Sequence, residues 1–330
     1  MAKENIKLKV IKTDITNPYN NLAAEENLTF KAKEGEMILF LWQNAHTVVI
    51  GRNQNPWREC NVERIKEDGV YLARRMSGGG AVYHDLGNLN FTFIAKGGLY
   101  DIGKQTEVIL LACRLLGIKA ELSGRNDLIV EERKFSGHAY YSSEGYNYHH
   151  GTIMMDVVPE DMSKYLQVSE SKLKSKGVKS VKSRVTNLKE YLPKMKREKL
   201  ISEMNEALIR AFEKVYGAEA EEVALPEVPK KLIDKYTSEE WRLGTRIPFE
   251  KEITHRFDWG EVQVQLSMKG GNISSCRIFS DALETEMFVV LEELLTGTKY
   301  DAATIRHIKI PGNISAVAYE VLHWIADSVE

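Results

Sequence analysis

The sequence has few cysteines and no long apolar run. Only three cysteines occur in 330 residues, Cys60, Cys113 and Cys276, and none has C-x-x-C spacing. A sparse, odd number argues against a disulfide framework and a cysteine-based zinc site. The longest apolar run matches one buried strand, far below the roughly 20 residues that span a bilayer. The N-terminal residues lack the apolar stretch of a signal peptide. These absences predict a cytoplasmic protein with no membrane partner.

The chain also lacks a strong charge of either sign. Lysine and arginine number 45 and aspartate and glutamate 47, for a formal net charge of -2. Such a balance gives no global attraction to nucleic acid or to an anionic membrane. With 43% hydrophobic and 28% charged residues, the composition is that of an ordinary globular protein. The length allows one full core and a second, smaller one.

Short β-branched and aromatic runs alternate with amphipathic segments, which predicts an α+β fold. Pro18 begins an amphipathic helix that Asn17 is placed to cap. Met37–Trp42 and Thr47–Ile50 are predicted to be paired strands. A later helix is predicted to end at Gly117. Further strands are predicted at Ile6–Ile11, Val70–Arg74, Ala81–His84, Leu89–Ile94, Asp127–Val130 and Gly151–Met155.

The pattern becomes helical from about residue 194. Apolar residues recur on one face of a predicted helix that Gly217 ends. Residues 218–248 are acidic, contain three prolines and are predicted to be poor in helix. We place the domain boundary late in this stretch. The expected domains are residues 1–246, with mixed or antiparallel sheets flanked by helices, and residues 247–330, a small α+β unit.

A glycine-rich stretch, Arg74-Arg75-Met76-Ser77-Gly78-Gly79-Gly80-Ala81, is the strongest local signal. Consecutive glycines leave backbone N–H groups unshielded, so such a loop can wrap closely around an anion. The two arginines supply charge and geometry suited to phosphate or carboxylate. The stretch is neither a Walker A loop nor a dinucleotide-binding fingerprint. A flexible hairpin between two strands is the alternative that the residues leave open.

Other polar residues are ambiguous when taken alone. Lys134 follows a polar turn and could neutralise a carboxylate and a phosphate together, or could be a solvated hairpin lysine. His149 and His150 are adjacent in a predicted strand, so they point to opposite faces and do not bind one metal ion. We expect one to be packed inside and one elsewhere. His84 and Asp85 lack a hydrolase elbow and are assigned to structure or ligand positioning.

The segments together resemble the lipoate–protein ligase family, whose catalytic fold is shared with biotin protein ligase and octanoyltransferase. The matching pieces occur in family order over about residues 20–190, and the region around 256–260 resembles the family's accessory domain. They include Asn21-Leu22-Ala23-Ala24-Glu25-Glu26, Gly51-Arg52-Asn53-Gln54-Asn55-Pro56-Trp57, Arg74 to Asp85, Gly124-Arg125-Asn126-Asp127-Leu128, Arg133-Lys134, His149-His150-Gly151-Thr152 and Ser183-Arg184-Val185-Thr186-Asn187-Leu188.

This resemblance implies a two-step reaction on lipoate. ATP, with Mg²⁺, activates lipoate as lipoyl-AMP and releases pyrophosphate. A lysine of a lipoyl-domain protein then takes the lipoyl group and releases AMP. The implied acceptors are acyltransferase subunits of 2-oxoacid dehydrogenases and the glycine-cleavage carrier protein. We expect a monomer.

The resemblance also assigns residues. Lys134 is the implied catalytic residue, touching both the lipoyl carbonyl and the α-phosphate. The implied ATP or adenylate contacts are Arg75, the backbone of Gly80, Ala81, Val82 and Tyr83, and Lys182 in the 172–184 loop. Asn126 and Asp127 are implied to hold phosphate, with Asp127 a candidate Mg²⁺ ligand. Lipoate is expected beside Trp42, Arg74, Ser77, Gly78, Gly79, His84, Lys134 and His150. His138 departs from the small residue expected there, and either narrows the pocket or faces solvent.

Three rival functions remain open at this point. The first is a carrier-dependent transferase of the same fold, either an octanoyltransferase or a lipoyl amidotransferase, and the amidotransferase type uses a cysteine nucleophile. No cysteine lies between Cys113 and Cys276, which argues against that rival. A non-catalytic lipoate-binding protein is the second alternative, and a biotin ligase the third.

Overall fold

The computed structural model describes residues 6–124, 126–167, 185–312 and 314–329. Its strands are β1 (Lys7–Lys12), β2 (Glu36–Trp42), β3 (Thr47–Ile50), β4 (Tyr71–Arg74), β5 (Val82–His84), β6 (Asn88–Lys96), β7 (Glu121–Ser123), β8 (Asp127–Val130), β9 (Arg133–Ser143), β10 (Tyr146–Met154), β11 (Ala220–Glu222), β12 (Lys251–Phe257), β13 (Gly260–Lys269) and β14 (Asn272–Ser280). Its helices are α1 (Pro18–Lys31), α2 (Pro56–Glu59), α3 (Val62–Glu67), α4 (Ile102–Leu115), α5 (Pro159–Tyr165), α6 (Arg197–Tyr216), α7 (Lys230–Thr237), α8 (Glu239–Leu243), α9 (Glu286–Leu295), α10 (Ala302–Arg306) and α11 (Val317–Asp327). Short 3₁₀ turns occupy Gly97–Leu99 and Leu188–Glu190. Over these described ranges, no helix combines the length and the apolar character that crossing a membrane requires.

Backbone contacts divide the chain into two compact units. The first comprises residues 1–49, 57–73 and 82–242, and the second comprises 50–56, 74–81 and 243–330. The expected domain boundary at 246/247 remains a prediction.

An eight-stranded mixed sheet organises the first unit. Its order is β11-β1-β2-β6-β10-β9-β8-β7. β1 pairs in parallel with β11 and with β2, whereas the pairs from β2 through β7 are antiparallel. Every residue of β2 is buried, as expected for a strand covered on both faces.

One face of this sheet packs on α4 and α6. Met37, Leu39 and Leu41 alternate along β2 toward these helices, where Phe91 and Phe212 join the same core. The apolar face of α6 supplies much of that core, and Gly217 ends the helix with φ +71° in the left-handed region. The predicted helix and its glycine stop are therefore confirmed.

The other face of the sheet carries α1. Pro18 stands in the first turn of α1, and the Asn17 side chain accepts hydrogen bonds from the backbone N–H groups of Tyr19 and Asn20. This cap satisfies donors that the first turn leaves unpaired. The predicted start of the helix is confirmed, and it places Glu25 and Glu26 midway along a buried helix.

Two predictions about local structure are wrong. Met37–Trp42 and Thr47–Ile50 do form strands, but β2 belongs to the eight-stranded sheet whereas β3 lies in a separate sheet of order β4-β3-β5. Residues 218–248 are not poor in helix, since they contain β11, α7 and α8. In both cases contacts between distant parts of the chain outweighed the local pattern.

The second unit has its own core. Strands β12, β13 and β14 form an antiparallel sheet. Val262, Val264 and Ile278 pack with Leu291 of α9 and Leu322 of α11, all buried. The α+β character predicted for residues 247–330 is confirmed, and α9 begins at Glu286.

Candidate active site

Lys134 and Asp127 form an ion pair across neighbouring strands of the first unit. Glu131 and Glu132, both at positive φ, make the tight turn from β8 to β9. The ladder shifts register between Leu128 and Ile129. Nζ of Lys134 lies 2.7 Å from Oδ1 of Asp127, with side chains 30% and 17% exposed. The cation is therefore fixed in place while it remains open to solvent.

Gly137 makes room for this ion pair. A Cβ atom at residue 137 would lie 2.7 Å from Nζ and 3.0 Å from Cε of Lys134, and 3.8 Å from Oδ1 of Asp127. Only the absence of a side chain lets Lys134 fold back over β9 to reach Asp127, which pairs directly with Gly137. The sequence contained this glycine beside the lysine, but nothing in its spacing indicated the close approach.

Asn126, the residue before β8, is hydrogen-bonded to β9. His138 N–H donates to the Asn126 carbonyl at 2.8 Å, and the Asn126 side-chain amide donates to the His138 carbonyl at 2.8 Å. Two reciprocal bonds hold the residue before Asp127 against β9. Asn126 thus shapes the site through its backbone and amide.

The chain after residue 184 is attached beside the lysine. Thr186 N–H donates to the Lys134 carbonyl at 2.8 Å. Arg133 forms an ion pair with Glu190 at 2.9 Å, and Glu190 also accepts from the Thr186 hydroxyl at 3.0 Å. The predicted contact Lys182 lies outside the described residues.

A second polar cluster occupies the α1 face of the large sheet. Trp42 Nε1 donates to Thr92 Oγ1 at 3.0 Å, and that hydroxyl donates to Glu25 Oε1 at 2.7 Å. His150 Nδ1 lies 2.8 Å from the same carboxylate oxygen. All four residues are buried. Beside them, Asn44 Nδ2 lies 3.2 Å from His84 Nδ1, and the rings of Trp42 and His84 meet edge-on at 6.5 Å.

His138 and His149 form a buried chain on the opposite face. His149 Nδ1 lies 3.0 Å from Gln105 Oε1 of α4, and its Nε2 lies 2.9 Å from His138 Nδ1. His138 Nε2 in turn lies 3.1 Å from Ser136 Oγ. Burial lowers the pKa of His138 to about 3, with the positive charge of Lys134 contributing. Burial also lowers the pKa of His149 well below its usual value.

These contacts decide two sequence expectations about the histidines. His149 and His150 do point to opposite faces of β10, as predicted, but both are buried, so the expectation that one would lie elsewhere is wrong. His138 does not face solvent, since only 3% of it is exposed. It lies on the face turned to α4, where the ring of Phe91 meets it edge-on at 5.4 Å.

The glycine-rich loop belongs to the second unit, where it is held by backbone contacts. Gly79 has φ +88°, and its N–H donates to the Ala282 carbonyl at 2.9 Å. A Cβ atom at Gly78 would lie 2.1 Å from the Ala282 oxygen and 2.6 Å from the Leu283 oxygen. The loop is therefore packed against the chain at 282–283, and the flexible-hairpin alternative is wrong for Gly78 and Gly79.

The two arginines of the loop bond to backbone carbonyls. Arg74 Nη1 donates to the carbonyls of Gly51, Arg52 and Gln54 at 2.8–3.2 Å. Arg75 donates to the carbonyls of Gly78 at 2.6 Å and Gly80 at 2.8 Å, and to Ser77 Oγ at 3.1 Å. Both arginines are buried. In this structure the guanidinium groups brace the loop from within.

The predicted site residues fall into both compact units. Trp42, Val82, Tyr83, His84, Asn126, Asp127, Lys134 and His150 belong to the first, and Arg74, Arg75, Ser77, Gly78, Gly79, Gly80 and Ala81 to the second. Val82 and Tyr83 pair with β3. Tyr83 Oη lies 2.6 Å from His46 Nδ1, and its ring stacks on Tyr165 at 5.7 Å.

Sequence reasoning missed Thr92 and Gln105, because their roles arise from contacts between distant elements.

The donor set around Lys134 fits Mg²⁺ only with help from a substrate. Within residues 6–124, 126–167, 185–312 and 314–329, no three His, Cys, Asp or Glu side chains gather into a metal cage. Magnesium is commonly held by one or two carboxylates together with phosphate oxygens and water. Asp127 supplies one such carboxylate.

The three cysteines are buried thiols. Cys113 lies on α4 in the core, where burial raises the pKa of its thiol to about 12. Burial likewise raises the pKa of Cys276. A thiol nucleophile needs access and a lowered pKa, so these two cysteines lack the character of a transferase nucleophile.

Two family models match the chain. One, described as the lipoyl protein ligase A/B catalytic domain, covers residues 17–213. The other, described as the bacterial lipoate protein ligase C-terminus, covers residues 246–316. The lipoate-protein ligase A of Psychrobacter cryohalolentis is 40% identical over 315 residues, with 91% of each chain covered.

Three solved structures have similar folds. P. falciparum LipL1 in complex with lipoate has a TM-score of 0.83 and 28% identity, covering 97% of this chain and 99% of the other. A bipartite lipoate protein ligase from Thermoplasma acidophilum, studied with its E2 lipoyl domain, has a TM-score of 0.64 and 29% identity, covering 74% of this chain and 99% of the other. A lipoate-protein ligase A bound with ATP has a TM-score of 0.62 and 27% identity, covering 72% of this chain and 99% of the other.

Proposed function

This chain belongs to the lipoate–protein ligase family, and from that premise we propose that it activates lipoate with ATP and transfers the lipoyl group to protein. A carboxylate oxygen of lipoate attacks the α-phosphorus, the bond from that phosphorus to the bridging oxygen breaks, and pyrophosphate leaves. The amine of an acceptor lysine then attacks the carbonyl carbon of lipoyl-AMP. The carbon–oxygen bond to phosphate breaks, and AMP leaves as the amine loses a proton.

The Lys134–Asp127 pair is the observation that carries this proposal. The lipoate carboxylate and the α-phosphate repel each other, and a fixed cation between them offsets that repulsion and holds both in attack geometry. Nζ of Lys134 lies 2.7 Å from Asp127 Oδ1, and the lysine side chain is 30% exposed. Lys134 therefore acts as a positioned charge in both steps, and no covalent bond to the enzyme forms.

We assign ATP to the backbone from Gly80 to Tyr83, together with Arg75, Asn126, Asp127 and Lys182. Three observations support this assignment. A Cβ atom at Gly80 would meet no atom within 4 Å, so the backbone there is open to a ligand. Arg75 already braces this loop through the Gly80 carbonyl. A relative of this fold has been solved with ATP bound.

The acyl chain of lipoate is assigned to the Trp42 side of the large sheet. Trp42, His84 and His150 form a buried, mostly aromatic wall, which suits an apolar tail. Arg74, Ser77, Gly78 and Gly79 are assigned to the carboxylate end of lipoate. The Glu25 carboxylate fixes His150 and, through Thr92, the indole of Trp42.

Magnesium is proposed to join the reaction with ATP. Asp127 would hold it together with phosphate oxygens. Bound there, the ion would neutralise charge on the departing pyrophosphate.

Acceptors are proposed to be lipoyl-domain proteins, namely the acyltransferase subunits of 2-oxoacid dehydrogenases and the glycine-cleavage carrier protein. Support comes from the related ligase that was studied with its E2 lipoyl domain. We propose that the enzyme works in the cytoplasm as a monomer, with buried thiols that suit a reducing compartment.

We also propose that residues 1–246 are the catalytic domain and 247–330 the accessory domain. The limits of the two family matches support this division.

The proposed function is tested by whether lipoylation of an acceptor by free lipoate requires ATP. Purified protein, Mg²⁺, ATP and lipoate are mixed with an isolated lipoyl domain, and the acceptor mass is followed. We expect a lipoyl mass increase that requires ATP, and no transfer from carrier-bound octanoate. Transfer without ATP from the carrier-bound acyl group would favour the transferase instead. Lipoate binding without acceptor modification would favour the binding protein.

A further inference from the structure

Helices α7 and α8 lie in residues 214–245, the stretch between the two regions that the family models match. The sequence predicts this region to be poor in helix, with the domain boundary late in it, yet α7 packs against α1. α1 is the helix that carries Glu25 into the proposed acyl pocket. The stretch therefore contributes to the architecture of the pocket.

Two side chains of α7 converge on one oxygen atom of α1. Tyr236 Oη donates to Glu26 Oε2 at 2.7 Å, and Lys235 Nζ lies 2.6 Å from the same oxygen. Tyr236 is 1% exposed and Glu26 8% exposed. A buried carboxylate is costly unless it is paired and hydrogen-bonded, so Glu26 depends on these two partners.

Trp241 of α8 holds the lysine in place. Lys235 Nζ lies 4.2 Å from the centroid of the indole ring, a cation–π contact. The ring of Tyr236 meets the same indole edge-on at 5.6 Å. The donors to Glu26 are thus held by packing as well as by charge.

Glu25 and Glu26 are consecutive on α1 and point in different directions. Glu25 faces the sheet, where it accepts from Thr92 and pairs with His150. Glu26 faces α7. Burial and then the negative charge of Glu26 raise the pKa of Tyr236 well above its usual value. The phenol therefore stays a hydrogen-bond donor at any working pH, and its neighbour Tyr148 packs on the ring of His150 at 4.9 Å.

We infer that Tyr236, with Lys235, is a positioning residue for lipoate binding: by anchoring Glu26 it sets α1 so that Glu25 holds the His150 and Trp42 wall of the acyl pocket. This inference rests on the proposed function, because it takes that wall to bind the acyl chain. Tyr236 touches neither ATP nor Lys134 in this account. Loss of the Tyr236 hydroxyl is therefore expected to weaken lipoate binding and to leave ATP binding unchanged.

The test compares Tyr236→Phe with Tyr19→Phe in the full-length protein. Tyr19 lies on α1 itself and donates its hydroxyl, at 3.4 Å, to the Leu72 carbonyl, so its variant loses one phenolic hydroxyl of that helix without removing a donor to Glu26. In Tyr236→Phe we expect KM for lipoate to rise about three- to tenfold, with kcat and KM for ATP within about twofold of wild type. Tyr19→Phe is expected to match wild type.

If Tyr236→Phe is unstable, a second variant and a binding measurement still test the inference. Lys235→Met removes the second donor and is expected to raise KM for lipoate in the same selective way. Calorimetric titration with lipoate alone is expected to show the same loss of affinity. A lower melting temperature with unchanged lipoate KM and affinity, or equal changes toward lipoate and ATP, would overturn the inference. Wild-type protein that binds lipoate but forms no lipoyl-AMP would instead defeat the proposed ligase function and leave the binding comparison to decide the role of Tyr236.

Discussion

The amine of Lys134 and the carboxylate of Asp127 meet at 2.7 Å across the ladder of β8 and β9. The tight turn at Glu131 and Glu132, together with the register shift between Leu128 and Ile129, places the two residues on adjacent strands. Gly137 leaves the space through which the lysine passes. The position of the proposed catalytic charge is therefore set by the backbone of one hairpin.

Gly137→Ala should impair catalysis without unfolding the protein. The new Cβ would meet the flexible end of Lys134, so the lysine moves and the strands stay. We expect lipoate adenylation to slow by about ten- to a hundredfold, because a shift of about 1 Å at a reacting group costs that much. Gly98→Ala is the control, since its Cβ would meet nothing within 4 Å. Equal activity of the two variants, measured at equal melting temperature, would refute the role assigned to Gly137.

Gly78→Ala should lower stability, whereas Gly80→Ala should not. At residue 78 the new Cβ would collide with two backbone oxygens, at Ala282 and Leu283, whereas at residue 80 it would meet nothing within 4 Å. We expect Gly78→Ala to lose about 1–3 kcal/mol of unfolding free energy, as overpacking does. Gly80→Ala should stay within about 0.5 kcal/mol of wild type. Urea unfolding measures both, and equal midpoints would show that the loop is not packed as described.

Stability should fall as the pH drops below 6.5. Unfolded histidines take up protons near that value, whereas the pKa of folded His138 is lowered to about 3 and that of His149 is also lowered. Below pH 6.5 the unfolded chain binds more protons, so the free energy of unfolding decreases by up to about 1.4 kcal/mol per pH unit for each histidine.

Urea unfolding at pH 7, 6 and 5 measures this dependence. His138→Gln should flatten it, whereas His323→Gln, which changes an exposed histidine, should leave it as in wild type. A slope in His138→Gln equal to that of wild type would mean that the buried pair does not govern acid stability.

Alkylation of the native protein should leave the activity intact. Cys113 is buried in the core, and its thiol pKa is raised to about 12, so it is not a thiolate at pH 8. After treatment with iodoacetamide at pH 8, we expect acceptor lipoylation at the untreated rate and no mass label on Cys113. Rapid inactivation together with labelling of Cys113 would support the cysteine-dependent transferase.

Much of the fold could be predicted because its signals are local. Asn17 before Pro18 predicts the start of α1, and Gly217 after a long apolar stripe predicts the end of α6; both are confirmed. The pairing of β2 with β3 was wrong, since adjacency in sequence does not fix which sheet a strand joins. The helices α7 and α8 were missed because α7 is stabilised by contacts with α1, more than 190 residues earlier.

The candidate site was predictable to a different degree. Lys134 and the glycine-rich loop were found through the order of several short segments, and each of them alone was ambiguous. The close fit of Gly137, the packing of Gly78 on Ala282 and the chain from Gln105 to Ser136 depend on atomic distances below 4 Å that only the folded backbone sets. Periodicity and spacing carry no information about such distances. The roles of Thr92 and Tyr236 were invisible for the same reason.

The most direct test of the account is lipoate-dependent exchange of labelled pyrophosphate into ATP, in wild type and in Lys134→Ala side by side. Exchange reports formation of the acyl-adenylate alone and needs no acceptor protein. We predict clear exchange in the wild type and a loss of at least about a hundredfold in the variant, since one preorganised charge is worth about that much in the transition state. Exchange that survives in Lys134→Ala, with the variant folded, would contradict the assignment of Lys134 as the catalytic residue.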